Sequence, residues 1–356
     1  MIEKIKEVSK IITNKVSSSK ISLENYISTE NMISNFGGIT IATSIPSGPV
    51  NSFEENDILL SNIRPYFRKT WFSNMSGGCS TDIIVLRANT EYILPKYLFY
   101  IFNTQHFVKY YVSSCKGTKM PRGNKDALSD YEINLPDIET QQHIVDTIGS
   151  VDDLIENYQE QVKKITFLSI KIFERFEQDS NLKFKDAFDI FNGGIFKSKD
   201  YATISEHKLI TIKNVDEDGF NTTQTSYLSD QSIDRKYLLS IGDILLTITG
   251  NIGRCGIVDE DNCYLNQRVL KVDCKSKLYI FCFLLKYKND IVSLGRGTAQ
   301  ENLSINDLYL LDVNNSISEI SIFGNYDYLF YKLVNLKLQI KKLMELKKTL
   351  LIKYFN

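Results

Sequence analysis

Residues 242–258, GDILLTITGNIGRCGIV, set an apolar run ahead of a glycine-rich turn that carries Arg254. Glycines after a strand often let backbone amides approach a phosphate, so their spacing decides the reading. Gly250, Gly253 and Gly256 read G-x-x-G-x-x-G. That is neither the dinucleotide fingerprint G-x-G-x-x-G nor a P-loop, which ends in Gly-Lys-Ser/Thr. A tight turn between strands is the local reading. Its wider meaning comes from a second copy.

Residues 56–72, NDILLSNIRPYFRKTWF, carry the same pattern 186 positions earlier. Asp57 matches Asp243, Leu59-Leu60 match Leu245-Leu246, and Arg68 matches Arg254. An apolar strand follows each copy, TDIIVLRA from Thr81 and NQRVLKVD from Asn266. Farther on, CKGTKMPRGNKDALSDYEI (115–133) and GRGTAQENLSINDLYLLDV (295–313) share Gly-Thr at an offset of 180. The chain is a duplication.

Each half ends in a helical pattern. Ile148, Val151, Ile155, Tyr158, Val162, Ile165, Ile172 and Phe176 fall at steps of 3 and 4 once Ser169 is counted in the seam. The partners 178 positions on are Tyr326, Leu329, Leu333, Leu336, Ile340, Leu343, Leu350 and Tyr354, with Lys347 in place of Ser169. Heptads kept over four repeats predict two coiled-coil helices. Each seam is about 42 Å long at 1.5 Å per residue. Neither helix can bury its seam alone, so an antiparallel pair is the economical arrangement. The globular parts read as mixed. GGITIATSI, DILLSNI, DIIVLRA, KLITIKNV and DILLTITG have the content of strands, whereas YLFYIFNTQHFVKYYVSS and LYIFCFLLKYKNDIVSL have the length of buried helices.

Composition narrows the function. At 356 residues, with 43% hydrophobic and 24% charged residues, the chain has the make-up of a folded two-domain protein and not of a disordered one. A net charge of −1 means that any nucleic-acid footprint must be local. The six cysteines contain no C-x-x-C pair, and no secretory signal is evident. Reduced thiols in a cytoplasmic protein, with no metal and no cofactor, are therefore expected. No apolar run is long enough to span a membrane. Adjacent prolines are absent, which excludes the Asn-Pro-Pro-Tyr type of methyltransferase motif, and G-x-S-x-G is absent too. Pro136-Asp137 lacks the Glu-x-Lys of a nuclease metal site, and Asp152-Asp153 reads as a solvated helix face. Catalysis by this chain is not expected.

Charge is concentrated in places. Between Glu91 and Asp126 there is no acidic residue, while Lys96, Lys109, Lys116, Lys119, Arg122 and Lys125 alternate with tyrosines. Such a segment can follow a phosphate backbone. In the second half Asn251, Arg254, Gln267, Arg268, Arg296, Thr298, Gln300 and Asn302 supply the amides and guanidinium groups that bond base edges.

GDILLTITGNIGRCGIV, GTAQENLS and LPDIETQQHIVDTIGSVDDLIENYQEQ, in the order globular–helix–globular–helix, resemble the specificity subunit of type I restriction–modification systems. The resemblance covers essentially the whole chain. It implies an α+β fold of two mixed target-recognition domains, at 1–138 and 179–318. Two long helices, at 139–178 and 319–356, would join them as an antiparallel coiled coil with a pseudo-two-fold internal repeat. It further implies that each domain reads half of a bipartite site in double-stranded DNA and that the helices act as a ruler. Methylation, restriction and translocation would reside on methyltransferase (modification) and restriction/translocase subunits. Arg64, Arg68, Lys69 and Thr249, in the two duplicated turns, join the candidate DNA contacts. Because SNIRPYFRKTWF departs from the Gly-x-Ile-Gly turn, the two half-sites are expected to differ. The second long helix also lacks the LP…Q..I entry of the first. Two other readings remain open on the residues: an orphan or decoy DNA-binding protein of this fold, and a coiled-coil interaction scaffold.

Overall fold

The computed structural model describes residues 1–115, 117, 120–176, 182–217, 219–297 and 301–355. Two compact units emerge. Unit 1 is Met1–Asp153 with Leu343–Asn356, and unit 2 is Leu154–Lys342. Each therefore holds one globular half and parts of two long helices, Ile138–Phe176 and Asp327–Phe355.

In unit 1 the chain's first strand, Ile2–Lys4, pairs antiparallel with Glu132–Asn134. A four-stranded antiparallel sheet follows in the order Ser9–Ile12, Ile83–Ala88, Ile58–Ser61, Thr70–Phe72. Unit 2 repeats both parts: Leu182–Lys183 pairs with Asp312–Val313, and the sheet order is Asp189–Asn192, Val269–Asp273, Ile244–Thr247, Cys255–Ile257. The DILL runs are apolar throughout because both faces of the strand are covered. Ile58 and Leu60 enter one core cluster and Leu59 another; Ile244 and Leu246 divide from Leu245 in the same way.

A second four-stranded sheet separates the halves. In unit 1 its order is Lys15–Ser17, Pro49–Phe53, Gly77–Cys79, Tyr26–Ile27. In unit 2 it is Tyr201–Ala202, Ser226–Leu228, Lys208–Ile210, Cys263–Leu265. Gly77–Cys79 is thus interior, while Cys263–Leu265, 186 residues on, lies at the edge. The frame is shared and this sheet is rearranged.

Three expectations of secondary structure need correction. The helix expected at 319–356 is broken: Ile317–Phe323 and the short turn Gly324–Tyr326 precede the long helix Asp327–Phe355. GGITIATSI forms no strand, only a single bridge between Met32 and Ile39, because the backbone turns through positive φ at Asn35, Phe36 and Gly38. The long apolar stretches are each broken into two helices. Pro95–Phe102 stops before Thr104, whose hydroxyl caps Gln105–Ser113, and Lys277–Lys286 gives way to Lys288–Ser293.

The long helices run antiparallel in unit 1, where the His143 ring meets Tyr354 and Asp152 pairs with Lys347 at 2.6 Å. In unit 2 Phe176, ending the first helix, meets Tyr326, just before the second. Every seam position named above is buried or half-buried. Asp152 is not on a solvated face: it is about three-quarters buried, and it also accepts a hydrogen bond from the fully buried Tyr100. This accounts for the charge at Lys347 in the seam.

The helix entries differ for a physical reason. Asp137 caps the first helix by accepting from the Thr140 amide, so the Pro-Asp pair is structural. Buried Gln141 donates to the Tyr92 and Pro136 carbonyls and accepts from the Leu94 amide, just before Pro95–Phe102. In unit 2 Asp327 does the corresponding work, accepting from the Leu278 amide and the Ser276 hydroxyl. A carboxylate replaces the glutamine, so the signature is lost while the clamp remains.

A charged network ties the second long helix to the sheets of unit 2. Glu260 accepts from Lys208 at 2.7 Å, from Thr222 and from Lys341. Burial alone would raise its pKa, but the two amines and the hydroxyl overcome this and hold it at about 2. A carboxyl lowered on folding stabilises above its unfolded value, and that contribution is lost as pH falls through the folded one. Glu260→Gln is therefore expected to lower the Tm of unit 2 at neutral pH. The gap from wild type should close between pH about 4.5 and about 2. A gap independent of pH would refute this.

Candidate nucleic-acid interface

The two duplicated motifs of each half, far apart in sequence, meet in the fold. In unit 1 the segment after Ile58–Ser61 lies against residues 121–123. The Arg64 amide donates to the Pro121 carbonyl at 2.8 Å, the Gly123 amide to Asn62 at 2.9 Å, and Ile63 bridges Arg122. In unit 2 the Gly250 amide donates to Glu301 at 2.8 Å, the Leu303 amide to Ile248 at 2.8 Å, and Thr249 bridges Asn302. The three contacts correspond one for one under the offsets of 186 and 180. These three main-chain contacts are duplicated, while the turn that follows and the side chains differ.

The unit 1 junction is held by backbone hydrogen bonds and close packing. Arg64 and Arg68 both have left-handed backbones, with φ of 47° and 54°, on either side of the short turn Pro65–Phe67. The amides of Asn35 and Phe36 donate to the carbonyls of Phe67 and Arg68. Gly123 cannot carry a side chain, since a Cβ there would sit 1.9 Å from the Tyr111 hydroxyl oxygen, and Tyr111 itself donates to Asn62. Tyr66 and Phe67 are exposed side by side, with ring centroids 4.7 Å apart.

The candidate residues separate by their partners. Arg64 and Lys125 are exposed. Arg122 is exposed and pairs with Asp82 at 3.1 Å, a surface pair weak enough to exchange for a phosphate. Arg68 donates to Gln105 at 2.8 Å. Lys69 is turned inward: its amine donates to the Thr29 carbonyl at 2.6 Å, and burial pushes its pKa down. Lys116 and Lys119 lie outside the described residues. Beside this junction a cleft of about 640 Å³ is lined by hydroxyls such as Ser28, Thr43 and Ser80, with Glu30 and Asp82. With no cation in its lining, it does not suit a phosphate.

In unit 2 Thr249, Asn251, Gln267, Arg268, Arg296 and Asn302 come together. Arg296 and Asn302 exchange two backbone hydrogen bonds, and the Arg268 carbonyl accepts from the Ile248 amide. Asn251, Gln267 and Arg268 are exposed. Arg296 reaches Asp307 at 3.1 Å. Arg254 is committed elsewhere: it is mostly buried, and its Nε is held 3.0 Å from Glu217, which also binds Lys288. Glu217 is 37 residues away in sequence, so nothing local announces the pair. Thr298 and Gln300 lie outside the described residues.

The profile of the family described as "Type I restriction modification DNA specificity domain" matches residues 1–166 and 180–315. The chain belongs to that family. Each match takes in one duplicated junction. A curated relative of this specificity-domain chain is the type I restriction enzyme HindI specificity subunit of Haemophilus influenzae. It is 28% identical over 159 residues, 43% of this chain and 32% of the relative. The match thus spans about a third of the relative's length. Among solved structures, the type I restriction–modification system S subunit from M. genitalium covers 100% of this chain and 96% of its own, with a TM-score of 0.60 at 14% identity. That likeness shows the fold. The HsdS subunit from Thermoanaerobacter tengcongensis covers 100% and 96%, with a TM-score of 0.40 at 17% identity.

Among the described residues of this specificity-domain chain, no group of three His, Cys, Asp or Glu side chains is placed to hold a metal. No helix there is long and apolar enough to cross a membrane. Burial pushes the thiols of Cys79, Cys263 and Cys274 up to about 12, far from the thiolate that nucleophilic chemistry needs.

Proposed function

We propose that this chain is the non-catalytic DNA-specificity subunit of a type I restriction–modification complex. Each unit reads one half of an asymmetric, two-part site in double-stranded DNA. The paired helices set the spacing between the half-sites, and methyltransferase and restriction subunits dock on the chain. The observation that carries this reading is the duplicated junction. One backbone frame presents arginine, aromatic and lysine groups in unit 1, and threonine, asparagine, glutamine and arginine in unit 2. Different side chains on one frame are what two different half-sites require. In this reading Arg122 and Lys125 contact phosphates, Asn251, Gln267, Arg268 and Asn302 face base edges, and Arg254 supports the frame.

Binding measured against salt tests it. With the methyltransferase complex on its cognate DNA, log affinity should fall steeply with log salt. Replacing Arg122 and Lys125 together with alanine should weaken binding to all sequences and reduce the slope by about 2. Binding that ignores both sequence and salt would reject the proposal.

A further inference from the structure

Unit 1 contains four arginines, and three of them are engaged. Arg68 binds Gln105, Arg87 is held by Asp57 and Glu54, and Arg122 pairs with Asp82. Arg64 is exposed, and its guanidinium has no partner among the described residues. Its backbone is nonetheless held by two hydrogen bonds in a left-handed conformation. The amide donates to Pro121 at 2.8 Å, the carbonyl accepts from Phe67 at 3.0 Å, and φ is 47°.

The second half shows what such a backbone position ordinarily takes. At the same place stands Gly250, with φ of 74° and the same 2.8 Å bond to the matching carbonyl, Glu301. Glycine adopts that conformation freely, whereas a side chain is strained there. Unit 1 thus holds a long charged side chain where the frame favours none. Strain of this kind persists at positions that a ligand uses. A phosphate contact would not need it, because flexible lysines and arginines reach a backbone from many places. A fixed Cα under a planar fork does suit bidentate recognition of guanine O6 and N7.

We infer that Arg64 reads a guanine in the half-site of unit 1. The inference rests on the proposed function and adds the residue and the base. Unit 2, with glycine at that position, lacks this contact.

The test uses Arg64→Ala and Arg64→Gly in the full methyltransferase complex. Its readouts are the methylated motif and the affinities for DNAs varied at each half-site position. One G·C pair in one half-site should become degenerate, with discrimination there falling about 10- to 100-fold. The other half and the spacer should be unchanged, and Arg64→Gly should be at least as heat-stable as wild type. Equal loss of affinity on every sequence would make Arg64 a phosphate contact and overturn the inference. So would an unchanged motif, or relaxation at an A·T pair. If the wild-type complex itself showed no sequence preference, the underlying function would fail instead.

Discussion

Asp57→Ala is expected to destabilise unit 1 by about 3 kcal/mol. Asp57 is 1% exposed, accepts from the Glu54 amide at 2.8 Å, and holds Arg87 through two bonds of 2.7 and 2.8 Å. Breaking a buried ion pair from one side costs about 3–5 kcal/mol because the remaining charge loses its partner. Arg87 keeps some contact with solvent and a second carboxylate, Glu54 at 2.8 Å, which places the loss at the lower end. Urea unfolding of the wild type and variant measures it. A loss below about 1 kcal/mol would mean that the pair behaves as a surface one. In unit 2 Asp243 accepts from the Ser240 amide, and its cations are Lys271, 184 residues after Arg87, at 3.1 Å and the more distant Lys277 at 3.9 Å. A lysine offers no fork, so Asp243→Ala should cost less.

Phe323→Ala is the second large effect, about 4 kcal/mol in unit 2. Phe323 is fully buried and touches the rings of Phe173 and Phe176 on one long helix, Tyr326 just before the other, and Tyr279 on the helix Lys277–Lys286. Removing it opens a cavity where these elements meet, and aromatic rings at that junction cannot shift independently to fill it. Calorimetry should show a lowered Tm for unit 2. In the proposed function the two-part site should be recognised less well while contacts within one half survive. A Tm within a degree of wild type would contradict the packing account.

The parts of the fold that depend on period were legible in the sequence. The helix seams repeat every 3 or 4 residues over four heptads, and DILL and its copy mark an interior strand of the first four-stranded sheet in each unit. The site was legible only in pieces. Its two halves are joined by hydrogen bonds between segments 51 to 61 residues apart, and no local pattern encodes that meeting. The offsets of 186 and 180 did identify both segments as duplicated. Arg254 reads as a DNA contact in the sequence because its partner, Glu217, is distant and the turn around it is glycine-rich. GGITIATSI looked like a strand from its β-branched residues, yet strands need an edge to join, and the turn at residues 35–38 directs the chain away from one. The clamp at Asp327 was hidden because a carboxylate performs there what Gln141 performs in unit 1.

The most direct measurement is a modified-base map of genomic DNA from cells with and without this gene. One asymmetric, two-part adenine-methylation motif should disappear on deletion and return when the gene is restored. Identical maps in cells that express the chain together with its methyltransferase would contradict a role in DNA sequence specificity.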